Sequence, residues 1–150
     1  MPQSLCAVYI HLIFSTKERR ALLTDPMRSD LHAYFGGVLR EKGSTPVSIN
    51  SVPDHVHLLF SLPRTTTIAQ IVEELKKASS KWIKKQDTSS ALFQWQAGYG
   101  AFSISTNQIK KVRQYIENQQ THHQTIDYRE EFIWLCDKHG VVYDQRYLWD

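Results

Sequence analysis

Pro53-Asp54-His55-Val56-His57-Leu58-Leu59-Phe60 is the stretch on which the fold of this chain turns. In an extended strand, residues i and i+2 share a face. His55 and His57 then stand side by side, roughly 6–7 Å apart at Cβ from the strand rise, within reach of a single cation. Val56, Leu58, Phe60 and Leu62 face the other way, into a core. One strand would carry a metal on one face and a fold on the other. The same alternation also describes two histidines on a half-exposed strand. Asp54 suits either a carboxylate that orients a histidine or a turn residue before the strand.

Working outward, Val47 to Val52 reads as a short strand before this one, and Pro63-Arg64 breaks the chain after it. Thr67 and Gln70 make a capping box. Ile68, Ile71, Val72, Leu75 and Trp82 follow at helical spacing, so residues 68–85 form an amphipathic helix with a lysine-rich outer face. Toward the N-terminus, Ala7 to Ser15 alternates as a strand, with Val8, Ile10, Leu12 and Phe14 on one face and Tyr9, His11, Ile13 and Ser15 on the other. The basic turn Lys17–Arg20 follows. Pro26 opens a helix marked by Leu31, Tyr34, Phe35, Val38 and Leu39, and Gly43 and Pro46 end it. Toward the C-terminus, Phe93 to Ser105 is aromatic and β-like, broken by Gly98 and Gly100 into a bent strand or a strand pair. Ser105 and Gln108 offer a second capping box for a helix over about 107–120, with Ile109, Val112 and Ile116 as its apolar stripe. Another helix is expected over about 129–138, stopped by Gly140, before an extended end. The order β-α-β-β-α-β-α plus a helical tail predicts an α+β chain: a ferredoxin-like antiparallel sheet with packed helices. The 150 residues suit one domain spanning 1–150.

The net charge of +3 hides an asymmetry. Residues 76–113 hold Lys76, Lys77, Lys81, Lys84, Lys85, Lys110, Lys111 and Arg113 against Asp87 alone, interleaved with Trp82, Phe93, Trp95 and Tyr99. Cations mixed with aromatics suit a nucleic-acid surface, where phosphates attract charge and unpaired bases stack on rings. A solvated lysine face would look the same. No apolar run reaches membrane-spanning length, and no secretory signal is expected. Cys6 and Cys136 lack metal-type spacing and read as reduced thiols in a cytoplasmic setting.

On the helix at 107–120, Tyr115 and Gln119 lie one turn apart on one shoulder, and Gln108 and Lys111 share it. Tyr115 sits beside the apolar stripe and not on it, so its hydroxyl is free for chemistry or for solvent.

The strand motif and the Tyr115-x-x-x-Gln119 helix together resemble the single-tyrosine HUH transposases of IS200-like insertion sequences, close to the REP-associated tyrosine transposases. The likeness extends to Tyr9 through Lys17, to Trp95-Gln96-Ala97-Gly98-Tyr99, to Phe102-Ser103-Ile104-Ser105, and to the segment from His139-Gly140 through Tyr143-Asp144 to Asp150. It implies the HUH fold and a transposase that cleaves and rejoins single-stranded DNA at hairpin-bearing ends. The Tyr115 oxygen would attack a phosphodiester, giving a 5′-phosphotyrosine and a free 3′-hydroxyl. His55, His57 and Gln119 would hold Mg²⁺ or Mn²⁺, a Lewis acid at the scissile phosphate. The covalent link conserves the bond energy, so no nucleotide cofactor is needed.

The resemblance also implies a homodimer, in which the tyrosine helix of one copy can complete the histidine site of the other. Lys17, Arg19 and Arg20 in the basic turn, and Lys77, Lys81, Lys84 and Lys85 on the basic helix, are the expected DNA contacts. Lys111 is a further expected DNA contact and, one turn before Tyr115, the expected stabiliser of the phenolate. The run Gln119-Gln120-Thr121-His122-His123 offers extra potential ligands, with His122 expected at the surface. Two other readings share these features: a domesticated nuclease acting on REP-type palindromes, and a non-catalytic ferredoxin-like nucleic-acid-binding module. A cytoplasmic, nucleoid-associated location fits all of them.

Overall fold

The computed structural model describes residues 2–150. The alternating stretches become strands β1 (Tyr9–Ser15), β2 (Pro46–Val52) and β3 (His55–Ser61), and a fourth, β4, spans Gly100–Ile104. Helices α1 (Asp25–Glu41) and α2 (Ile68–Lys84) make the two crossovers. The strands lie in the order β2-β3-β1-β4, and every neighbouring pair is antiparallel. This is the ferredoxin-like βαββαβ arrangement anticipated from the sequence.

Pro53 and Asp54 form the two-residue turn between β2 and β3, since Val52 pairs with His55. The turn is pinned from outside: Leu23 N–H donates to the Pro53 carbonyl (3.0 Å), and Thr16 N–H donates to the Asp54 carbonyl (2.9 Å). That anchoring fixes the register, and the register decides which face carries the histidines. Ile10, Leu12, Phe14, Val56, Leu58 and Phe60 all turn toward α1 and α2 and pack with Leu31, Phe35, Leu39, Ile71 and Leu75. The capping box opens α2 as expected: Gln70 N–H donates to Thr67 Oγ1 (3.1 Å), and Thr67 N–H donates to Gln70 Oε1 (3.0 Å).

The other face is also covered. Helices α3 (Ile109–Glu117), α4 (Gln119–His122) and α5 (Tyr128–Lys138) lie over it. Ile116 packs on Leu59 and Ile104. Tyr128, Phe132, Leu135 and Cys136 pack on Ile13 and Phe102. The end of the chain locks α5 down: Trp149 lies against Tyr128 and Phe132, and the Asp150 carbonyl accepts from Gly98 N–H (2.8 Å). A side chain at Gly100 would meet Ile13, Phe102 and Phe132 at 3.0 Å, so glycine is what lets α5 approach β4 this closely.

Two expectations are corrected. The β-like stretch 93–105 yields a named strand only over Gly100–Ile104, with Trp95 forming one isolated bridge to Thr16. The half-buried Lys76 ammonium donates to the carbonyls of Gln96 (2.8 Å), Ala97 (3.2 Å) and Gly98 (2.7 Å), taking acceptors that a strand would have used. The single helix expected over 107–120 is divided. Residues 106–108 form a 3₁₀ turn, and Ser105 Oγ donates to Asn107 Oδ1 (2.6 Å) in place of a second capping box. At the far end Asn118 leaves helical geometry (φ −96°, ψ 16°). The Asn50 amide on β2 donates to the Ile116 carbonyl (2.8 Å), the group that in a continued helix would have accepted from the Gln120 N–H. Tyr115 and Gln119 therefore sit on two helices.

Candidate active site

The upper face of β3 presents His55 and His57, and both are fully buried. Each has one ring nitrogen committed to a neighbour. His55 Nδ1 lies 2.7 Å from Asp54 Oδ1, and His57 Nδ1 lies 2.8 Å from Nε2 of His11 on β1. Both Nε2 atoms point up, toward α5. His123, just after α4, arrives with the same orientation: its Nδ1 donates to the Ile126 carbonyl (2.8 Å), which turns Nε2 inward.

Glu131 completes the cluster from the first turns of α5, where the helix N-terminus favours a carboxylate. It is fully buried, and its Oε1 lies 3.1 Å from His55 Nε2, 2.9 Å from His57 Nε2 and 2.9 Å from His123 Nε2. Its other oxygen accepts a hydrogen bond from the Tyr115 hydroxyl. Tyr115 projects from α3, stacks on Trp134 of α5 (5.8 Å between rings) and has His122 Nε2 at 3.5 Å from its oxygen. The nucleophile candidate and the histidine pair thus meet within one chain, across a carboxylate.

The charges follow from this packing. Burial opposes the charged form of His55, but hydrogen bonds to Asp54 and Glu131 outweigh it and its pKa is raised. For His57 burial wins over Glu131, and its pKa is lowered. Burial also works against the Glu131 carboxylate, yet His57, His123 and His55 together hold its pKa far below the usual range. The Tyr115 phenol is pushed up, by burial first and by the Glu131 charge second; a contact with Gln119 pulls the other way.

The donor set fits a divalent ion. His55, His57, His123 and Glu131 each offer one ligand atom, and these lie within 4.8 Å of one another. His55 Nε2 and His123 Nε2 are only 3.0 Å apart. Two N–H groups aimed at one oxygen do not sit comfortably at that spacing. Ligands at right angles around an ion, with bonds of about 2.1 Å, stand about 3.0 Å apart. Nitrogen with carboxylate oxygen suits Mn²⁺ or Zn²⁺ more than Mg²⁺.

His55, His57 and Tyr115 meet here, and Gln119 lies beside Tyr115, its Nε2 3.5 Å from the Tyr115 carbonyl. Gln119 is fully buried, and its Oε1 has no hydrogen-bond partner among the described residues. Lys111 is not part of the cluster: it is exposed and makes no hydrogen bond or ion pair among the described residues, and Glu131 stands at the phenol instead. His122, expected at the surface, is half-buried beside Tyr115. Motif spacing does not assign Glu131 or His11 to the site, and it offers His123 only as an extra potential ligand at the end of the tyrosine helix. Glu131 does carry a signal, because it falls on the stripe Tyr128, Glu131, Phe132, Leu135, Cys136, and a lone carboxylate on a buried stripe needs a cationic or metal partner.

The expected DNA contacts divide into two groups. Lys77, Lys81, Lys84 and Lys85 are exposed on the outer face of α2, on the opposite side of the sheet from the cluster. Lys17, Arg19 and Arg20 lie on the turn after β1, where Arg20 pairs with Glu18 (2.9 Å) and Arg19 lies over the Trp149 ring (5.5 Å).

A family model described as IS200-like transposase matches residues 4–119. The chain belongs to that family. It is similar to the ISDra2 transposase TnpA of Deinococcus radiodurans, with 27% identity over 114 residues, covering 73% of this chain and 81% of the relative. Among solved structures, a candidate transposase of Deinococcus radiodurans R1 superposes with a TM-score of 0.62 at 26% identity, covering 79% of this chain and 96% of that one. A REP-associated tyrosine transposase bound to a REP hairpin shares the fold, with a TM-score of 0.60 at 17% identity, covering 84% of this chain and 76% of that one. The family match contains His55, His57, Tyr115 and Gln119 and stops there. His123 and Glu131 lie beyond the matched segment. Among the described residues, no helix is long and apolar enough to cross a membrane.

Proposed function

We propose that this transposase cuts and rejoins single-stranded DNA at hairpin-bearing ends, with Tyr115 as nucleophile, His55 and His57 as the centre of its metal site, and Gln119, Glu131 and His123 as further ligands. The reading rests on one observation: the Tyr115 hydroxyl is hydrogen-bonded to a carboxylate that itself lies among three convergent imidazole nitrogens. In the reaction Tyr115 Oη forms a bond to phosphorus and the bond to the 3′ oxygen breaks. The phenolic hydrogen is lost and the 3′ oxygen gains one. An ion held by these residues, Mg²⁺ or Mn²⁺, would supply Lewis-acid polarisation of the phosphate. The chain's own part is orientation: α3 holds the phenol, Asn50 fixes the end of that helix, and Asp54 and His11 fix the histidine rings. Attack by a 3′-hydroxyl on the phosphotyrosine reverses the step and rejoins strands.

Charge supports α2 and the turn after β1 as the hairpin-contacting surfaces, through Lys77, Lys81, Lys84, Lys85, Lys17, Arg19 and Arg20. The REP-associated neighbour, which binds a hairpin on the same fold, supports the substrate class. The homodimer is carried over from the resemblance, with each copy using its own Tyr115. The test is a labelled single-stranded hairpin oligonucleotide with Mn²⁺, resolved on a denaturing gel. A slow-migrating covalent adduct is expected, and Tyr115→Phe abolishes it. An adduct that survives Tyr115→Phe refutes the assignment.

A further inference from the structure

The cluster contains a buried histidine that touches neither the carboxylate nor the tyrosine oxygen. His11 sits on β1, one diagonal step from His57: in the β1–β3 register Ile13 stands opposite His57, and His11 opposite Leu59. Diagonal neighbours on one face are close enough for long side chains to meet. Their rings lie 5.1 Å apart, and His11 Nε2 is 2.8 Å from His57 Nδ1. Phe102 and the Tyr115 ring wall His11 in. His11 is 2% exposed and His57 0%, so water offers neither ring a substitute partner.

We infer that His11 is a positioning residue for the metal site, a partner that lets His57 turn an unprotonated Nε2 toward an ion or a protonated one toward Glu131. This deepens the metal reading proposed above and depends on it. The argument is one of tautomers. With His57 Nε2 at 2.9 Å from Glu131 Oε1, the hydrogen of His57 belongs on Nε2, and Nδ1 must accept. His11 then supplies an N–H. When His57 Nε2 acts as a ligand its lone pair is needed there, the hydrogen moves to Nδ1, and Nδ1 must donate. His11 Nε2 then accepts, with its own hydrogen on Nδ1. Both states keep the 2.8 Å contact satisfied. An apolar residue at position 11 satisfies neither, and a fixed donor such as lysine satisfies only one.

The two other ligand histidines need no such partner. His55 Nδ1 faces the Asp54 carboxylate, and His123 Nδ1 faces the Ile126 carbonyl, and both partners are acceptors only. When Nε2 of either ring acts as a ligand, the hydrogen stays on Nδ1 and the same acceptor still takes it. His57 alone is paired with a group that both donates and accepts.

The test is Mn²⁺ binding to the purified full chain, read by the loss of the free-ion electron paramagnetic resonance signal. His11→Leu is expected to weaken Mn²⁺ binding by roughly 10–100-fold, the usual cost of losing a ligand's outer partner. His11→Gln, whose amide can rotate to donate or accept, is expected to recover most of that loss. Thermal unfolding of the metal-free proteins tells lost binding from lost folding; if His11→Leu does not fold, His11→Met takes its place in the comparison. Wild-type affinity in the apolar variant overturns the inference, as does a glutamine variant as weak as the apolar one. If the wild-type chain takes up no Mn²⁺, the metal reading itself falls, and the inference with it. If His57→Ala abolishes uptake while His11→Leu leaves it intact, only the positioning role falls.

Discussion

Ile10, Leu12, Phe14, Val56, Leu58 and Phe60 leave β1 and β3 toward α1 and α2, while His11, Ser15, His55 and His57 leave the same strands toward α3–α5. Both sets are buried, yet they are held by different physics. The lower face is closed by aliphatic and aromatic packing, which is non-directional and tolerates any partner of suitable shape. The upper face buries imidazoles and a carboxylate, which cost free energy unless each polar atom has a placed partner. Those partners come from distant parts of the chain: Asp54 from the turn, His11 from β1, His123 after α4 and Glu131 from α5. Changes below should cost folding, and changes above should cost chemistry.

The largest test concerns whether the upper face is complete within one chain. Tyr115→Phe chains mixed with His57→Ala chains are expected to give no covalent adduct, because each lacks half of its own site. Recovery of adduct in the mixture, read on the same denaturing gel, would mean that the tyrosine is exchanged between copies.

The lower face is tested by Leu12→Ala. Leu12 is fully buried against α1 and α2. Its truncation is expected to destabilise the fold by about 3–4 kcal/mol in urea unfolding. Mn²⁺ affinity per folded molecule should stay unchanged. A comparable loss of metal affinity with intact folding would show that the two faces are coupled.

The same contrast explains what could be read in the sequence. Period-2 alternation in β1 and β3 and the capping box at Thr67 are local patterns, and they led directly to the ferredoxin-like sheet. His55-Val56-His57 and Tyr115-x-x-x-Gln119 were legible because each is a short spacing within one stretch. The place of Glu131 at the histidines was not, although its position on a buried stripe marks it: its role exists only once α5 folds over β3, and a glutamate eight residues beyond His123 has no fixed relation to a strand some seventy residues earlier. The split at Asn118 was hidden for a similar reason: the group that ends α3 is the Asn50 side chain on β2. The reduced strand at 93–105 depends on Lys76, a residue that composition alone assigns to the solvated face of a basic helix.

Glu131→Gln probes the upper face more finely. The amide keeps the shape but removes the charge that three histidines surround. Mn²⁺ affinity is expected to fall by at least roughly tenfold, and the added stability that saturating ion gives the wild type, about 2.7 kcal/mol at one hundred times Kd, should shrink with it. Acid should act in the same direction. The His55 pKa is raised by Asp54 and Glu131, so a proton competes with the ion at Nε2 from a pH above the ordinary imidazole value downward. Wild-type apparent affinity is therefore expected to decline as pH falls through that raised value. A Glu131→Gln chain that binds Mn²⁺ as tightly as the wild type would remove Glu131 from the ligand set.

The smallest effect belongs to the outer surface of the lower face, where Lys81 and Lys84 stand exposed on α2. They are held by no ion pair among the described residues. If they lie on hairpin phosphates, Lys81→Gln with Lys84→Gln should reduce the slope of log affinity against log salt by about 2, since each duplex phosphate that a lysine neutralises adds about 0.9. Binding at moderate salt should weaken several-fold, while adduct formation at saturating DNA proceeds at the wild-type rate, because neither residue is near Tyr115. The two faces would then divide the work: packing below carries a charged outer helix that holds the DNA, and directional bonds above carry the chemistry. An unchanged salt slope would move the hairpin off α2 and leave the basic turn at Lys17, Arg19 and Arg20, just after β1, as the surface that holds it.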